Sequence, residues 1–204
     1  MIAIIDYGLG NTLALLNVYN RLNIKAKIVK SEADLRGVTK LILPGVGAFD
    51  YAMQLFEQSG MRQPIEQLVM CDNMPVLGIC VGMQMLAKSS EEGELPGLGW
   101  IEGTVKKFNL SAMPDEIVMP HMGWNDVNPL TEGGLFNGPK RDWQFYFLHS
   151  FFFQCHDQAN VLAVSDYGGK FTSAVQNGNV YGVQFHPEKS HHSGSQILKN
   201  FAEV

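Results

Sequence analysis

A chain of 204 residues with 46% hydrophobic and 17% charged side chains has ordinary globular composition, enough for a sizeable core, which argues against disorder. Its net charge of −5 lacks the basic excess that nucleic-acid binding needs, so no nucleic-acid partner is expected. Three cysteines, an odd and sparse set, point to a reducing cytoplasm instead of a disulfide framework. Met1 to Asp6 carries no basic stretch, and its apolar run is far too short for a signal or a membrane span.

Residues 2–5 form a continuous apolar run, as in a strand buried on both faces of a parallel sheet. A turn with Gly8 and Gly10 follows. Leu13, Leu16, Val18 and Leu22 then recur at helical spacing, behind Asn11 or Thr12 as cap. The Gly8-x-Gly10 pair hints at a dinucleotide turn. It lacks the third glycine, and no acidic residue ends the second strand at 26–30. A third strand, 41–43, runs into Pro44-Gly45-Val46-Gly47, a turn that would expose backbone N–H groups at the carboxyl edge of the sheet. Residues 50–58 and 61–70 read as helical.

The stretch 75–85 is the most informative. An apolar run leads to Cys80, flanked by Gly78 and Gly82, and helix-forming residues follow. Small residues on both sides allow a tight strand-to-helix turn, the thiol counterpart of a nucleophile elbow. The helix is expected to run to a loop at 89–99. Unsatisfied N–H groups at its start favour thiolate over thiol. The Val81 N–H would point at an oxyanion formed on a carbonyl attacked by Cys80. Gln84, four residues on, shares the helix face of Cys80, and its amide would meet a polar substrate.

Strand–helix alternation to this point predicts an α/β fold with a doubly wound, mostly parallel sheet and a site beyond the carboxyl ends of its strands. The second half offers short strands at 101–108, 117–119, 145–148, 161–164, 171–175 and 180–185. These should add antiparallel strands to the sheet edge. Asn177-Gly178-Asn179 is a hairpin signal, and residues 194–204 close the chain as a helix. With no linker or repeat, one domain over 1–204 is expected. At the end of the last strand, an extended His186-Pro187-Glu188 would present imidazole and carboxylate on one side. A carboxylate that orients an imidazole serving a nucleophile is triad logic, and a thiol can replace the hydroxyl. No Cys or His spacing suggests zinc, and no metal or cofactor is expected.

These motifs together resemble the triad-type (class I) glutamine amidotransferases: Pro44-Gly45-Val46-Gly47, Gly78-Ile79-Cys80-Val81-Gly82-Met83-Gln84 and Phe185-His186-Pro187-Glu188. Within that family, Asp6 to Asn11, Pro120 to Asn125, Tyr146 to Phe151 and Pro187 to Ser190 are similar to the glutaminase subunits of imidazole glycerol phosphate synthases. The resemblance implies a flavodoxin-like sheet, a Cys80–His186–Glu188 triad and L-glutamine as substrate. It implies oxyanion donors at Val81 and within Gly45-Val46-Gly47, a turn that in the family awaits the partner's ligand. It places glutamine against Gln84 and the backbone of His149, Ser150 and Phe151. It also implies a (β/α)8-barrel cyclase partner that receives the ammonia in a heterodimer, docked on Asn11, Trp124, Asn125 and Lys189. Phe151-Phe152-Phe153 stands where the family usually shows tyrosines, which removes hydroxyls near the substrate. Gly97 to Ile101 and Tyr146 to His149 also resemble a paralogous branch that supplies ammonia for surface-polysaccharide sugars.

Overall fold

The computed structural model describes residues 1–109, 111, 117–138 and 142–204. Five parallel strands form the centre: β1 (Ile2–Ile5), β2 (Ala26–Val29), β3 (Lys40–Gly45), β4 (Val76–Cys80) and β12 (Val180–Val183). Their spatial order is β2-β1-β3-β4-β12. Every residue of β1, β4 and β12 is buried, which is why they read as apolar runs without alternation. The doubly wound sheet expected from the sequence is therefore present.

The remaining strands are β5 (Ser89–Ser90), β6 (Gly103–Lys107), β7 (His121–Pro129), β8 (Trp143–His149), β9 (Phe151–Cys155), β10 (Val161–Asp166) and β11 (Lys170–Asn177). Beyond β12 the sheet continues antiparallel through β11, β10, β7 and β8, while β9 joins β6 to β11. The hairpin at 177–179 joins β11 to β12, with Gly178 at positive φ as such a turn requires.

Several expectations change. Residues 117–119 are not a strand. β7 and β9 are strands where none was expected. β7 carries Gly123, Asn125, Asp126, Asn128 and Pro129, residue types that sheets disfavour, and its pairing with β8 over seven residues overrides them. Helix α1 (Thr12–Arg21) does begin behind Asn11, whose side chain accepts from the Ala14 N–H. Its buried face is Leu15, Val18 and Tyr19, and Leu13 is exposed. Helix α2 spans Phe49–Gln58 and α3 Arg62–Glu66, and a π-turn over Gln67–Cys71 takes the rest of the expected 61–70 helix. Helix α4 after Cys80 is only Val81–Gln84. A single turn has little macrodipole, so a long-helix field does not act on the sulfur. Helix α5 (His191–Glu203) ends the chain, packing Ile197, Leu198 and Phe201 inward. Among the described residues, no helix is long and apolar enough to cross a membrane.

Candidate active site

The carboxyl ends of β3, β4 and β12 lie side by side, with Gly45 opposite Cys80 and Ile79 opposite Val183. Cys80 itself makes the sharp turn, at φ 56° and ψ −113°. Gly78 and Gly82 do not take positive φ. Their role is close approach: a Cβ at Gly82 would lie 1.9 Å from the Leu43 carbonyl oxygen, and one at Gly78 would lie 2.6 Å from the Gly82 oxygen. The elbow is therefore wedged against the backbone of β3. We expect Gly82→Ala to cost roughly 3 kcal/mol or more, because backbone must move, and to displace the sulfur. A melting temperature within a degree or two of the parent would refute that.

His186 follows β12, and the chain there is not extended. A 3₁₀ turn over Pro187–Lys189 folds Glu188 back under the ring, and His186 Nδ1 meets Glu188 Oε1 at 2.9 Å. Both side chains are nearly fully buried. The Ser190 hydroxyl donates to the His186 carbonyl at 2.6 Å and accepts from the Tyr146 N–H at 3.0 Å, while the His186 N–H donates to the Tyr146 carbonyl at 2.9 Å. The turn is thus tied to β8. The other His186 nitrogen is free to serve Cys80, which lines the same cavity and whose Sγ lies 3.8 Å from the Leu148 carbonyl oxygen. Burial is the largest influence on His186 and pulls its pKa down. The contacts with Cys80 and Glu188 outweigh it and hold the ring well above the ordinary histidine range.

A cavity of about 130 Å³ opens beside the sulfur. Val46, Gly47, Cys80, Val81, Gln84, His149, Ser150, Phe151, His186 and Lys189 all line it, so most residues singled out in the sequence converge here. Gly45 lies just behind, at the end of β3. The Tyr7 hydroxyl donates to the Pro44 carbonyl at 2.7 Å, and Gly10 lies so near Pro44 that a Cβ would clash at 2.6 Å. The Gly8-x-Gly10 turn thus packs on the strand that feeds the Gly45–Gly47 turn.

Gln84 differs from the simple expectation of a free amide. Its Nε2 donates to the Phe151 carbonyl and to Gln184 Oε1, each at 3.1 Å. Both amide protons are used, and only Oε1 remains for a ligand. Sequence reasoning missed Glu92, which also lines the cavity. Glu92 Oε2 accepts from the Phe49 N–H at 2.9 Å, across the start of α2. Burial and the nearby Asp50 raise its pKa, and the Phe49 bond opposes them. No local motif marks Glu92; a long loop folds it back over the site.

Around the cavity mouth, β7 and β8 present Met122, Trp124 and Leu148 to solvent, with Met122 opposite Leu148, which also lines the cavity, and Trp124 opposite Tyr146. Trp124 is 49% exposed, stacks on His191 at 5.2 Å and does not belong to the core. The Lys189 ammonium lies 5.6 Å from the centre of the Tyr146 ring. Asn11 is exposed but caps α1, and the Asn125 side chain turns inward to the Asp166 carbonyl. Among the described residues, no three His, Cys, Asp or Glu side chains cluster as a metal site.

The family model for class-I glutamine amidotransferases matches residues 3–204. The chain is 57% identical over 204 residues to imidazole glycerol phosphate synthase subunit HisH of Bdellovibrio bacteriovorus, covering all of both chains. It is 49% identical to the subunit of the same name from Leptospira interrogans, again over the full length of both. Among solved structures, a crystal structure of glutamine amidotransferase superposes with a TM-score of 0.75 at 22% identity, covering 100% of this chain and 99% of that one. The structure of PurLQS from Thermotoga maritima gives a TM-score of 0.74 at 18% identity, covering 99% and 97%. Those two likenesses bear on the fold alone. With a family match over nearly its whole length and full-length relatives near half identity, the chain belongs to the class-I glutamine amidotransferases.

Proposed function

We propose that this chain is the glutaminase subunit of an imidazole glycerol phosphate synthase, hydrolysing L-glutamine to glutamate and ammonia in the cytoplasm. The observation that carries the reading is the His186 ring, bonded to Glu188 through Nδ1, at the wall of a small cavity that Cys80 also lines. The Cys80 sulfur attacks the side-chain carbonyl carbon of glutamine. The tetrahedral oxyanion is held by the Val81 N–H and by an N–H of the Gly45–Gly47 turn, a stabilisation of about 2.7–4 kcal/mol per donor. His186 gives its proton to the nitrogen, ammonia departs, and a γ-glutamyl thioester remains. His186 then takes a proton from water, which cleaves the thioester and frees glutamate and the sulfur. Glu188 holds the ring and its Nδ1 proton throughout.

Ammonia released into water would be protonated and lost as a nucleophile. The exposed Met122, Trp124 and Leu148 strip beside the cavity suits a docked partner, with the aromatic Trp124 as anchor. We assign that partner as a (β/α)8-barrel cyclase, which receives the ammonia. The synthase-subunit name carried by the relatives at 57% and 49% identity favours the histidine-pathway acceptor over the polysaccharide one. The test is glutamate release by the chain alone, with the cyclase, and with cyclase plus its ligand. Turnover should rise at each step, and strong turnover by the isolated chain would refute tight coupling.

Glu92 and the free Gln84 oxygen give the cavity two acceptors suited to the substrate's N–H groups. Glu92→Gln is expected to raise the glutamine KM by about tenfold, with a smaller change in kcat, because one charge-assisted hydrogen bond is lost. Steady-state kinetics in the complex would check this. An unchanged KM would remove Glu92 from the binding set.

A further inference from the structure

Two buried histidines are left unused by this mechanism, His121 on β7 and His149 at the end of β8. They stand in one line of hydrogen bonds. His149 Nδ1 meets the Phe151 carbonyl at 2.8 Å, His149 Nε2 meets His121 Nδ1 at 2.8 Å, and His121 Nε2 meets Asn125 Nδ2 at 3.2 Å. A carbonyl can only accept, so His149 carries its proton on Nδ1 and its Nε2 is bare. His121 must then donate from Nδ1, and its own bare Nε2 accepts from the Asn125 amide. The same amide donates to the Asp166 carbonyl at 2.8 Å. Every role follows from one end of the line.

That same end reaches the substrate cavity. The Phe151 carbonyl takes a second bond from Gln84, and Gln84 also donates to Gln184, whose amide nitrogen lies 3.9 Å from the Cys80 sulfur. His121 cannot easily turn, because its ring is sandwiched between Phe147 at 4.8 Å and Tyr167 at 4.0 Å. Burial, the leading cause at both rings, keeps them neutral: His121 is pushed down to about 4 and His149 to about 3. A second proton on either ring would set two donors face to face.

We propose that His121 and His149 are positioning residues for glutamine hydrolysis. They lock the Phe151 carbonyl, and through it they orient Gln84 so that its amide offers only an oxygen to the substrate. The shared chemistry of that ligand is an N–H donor, the ammonium or the carboxamide of glutamine. If the line is cut, the Phe151 peptide and the Gln84 amide are free to turn, and Gln84 can present its NH2 group where an acceptor is required.

This inference rests on the glutaminase reading, and its test separates the two. In the complex with the cyclase subunit, His121→Phe keeps the ring stack but neither donates nor accepts. The glutamine KM should rise about tenfold while kcat falls less than threefold. His121→Asn, whose amide nitrogen can occupy the Nδ1 position, should recover most of the loss. Equal KM values for the parent and His121→Phe would overturn the proposal. Nitrogen-15 NMR of the unsubstituted protein needs no variant: it should show both rings neutral at pH 7, each protonated on Nδ1 alone. A proton on His149 Nε2 would overturn the proposal even if glutamine turnover is normal. Absent turnover by the unsubstituted complex would instead remove the glutaminase reading.

Discussion

Cys80→Ala is expected to lower glutamine hydrolysis by roughly 10⁴-fold or more, while the complex still makes product from added ammonia. In the proposed mechanism the thioester forms on this sulfur, and alanine offers no nucleophile in its place. The substitution keeps the Cβ, so the backbone at φ 56° carries the same strain as before. Loss of one buried sulfur atom should cost about 1–2 kcal/mol, small enough for the variant to fold and dock. Two assays on one preparation decide the matter: glutamate release, and synthesis with an ammonium salt. Loss of both activities would mean that the sulfur has a structural role in the complex.

Glu188→Gln should lower kcat by about 10²- to 10⁴-fold with little change in KM. The side chain keeps its shape and loses its charge. In the parent, Glu188 Oε1 holds the Nδ1 proton, while Oε2 is buried with no hydrogen-bond partner among the described residues. A neutral amide no longer stabilises the imidazolium, and an NH2 turned toward Nδ1 would force the imidazole proton onto the nitrogen that must serve the sulfur. Stability should follow pH in a defined direction. The folded-state pKa of His186 is raised above its unfolded value near 6.5, with Glu188 among the causes. That contribution is complete below about pH 6.5 and disappears as pH rises through the folded-state value. The melting-temperature deficit of Glu188→Gln should accordingly be largest near pH 6 and shrink toward alkaline pH. A deficit that grows with pH would contradict this account of the raised histidine.

Much of the central sheet, the Cys80 turn and the His186–Glu188 pair was legible in the sequence because each rests on a local cue. Strands buried on both faces leave unbroken apolar runs, as at 2–5 and 76–80. The elbow leaves two glycines around a cysteine, and the histidine and carboxylate stand two residues apart. The reasons behind those cues were less visible. Gly78 and Gly82 serve contact with β3 and each other instead of a turn, and His186 and Glu188 meet across a 3₁₀ turn instead of along an extended strand. The rest of the site depends on tertiary placement. β7 has poor strand formers and is held by β8. Glu92 arrives from a loop. The His121–His149 contact joins residues 28 apart, whose opposition exists only once the β7–β8 register sets.

The backbone of Cys80 occupies a conformation that glycine adopts freely and other residues resist. The surrounding β3 contacts hold it there. Natural selection for sturdiness and selection for turnover therefore oppose each other at one position, since a bare hydrogen in place of the –CH2SH group would relax the chain and, under the proposed mechanism, silence it. The most stable version of this protein is, by that logic, an inert one.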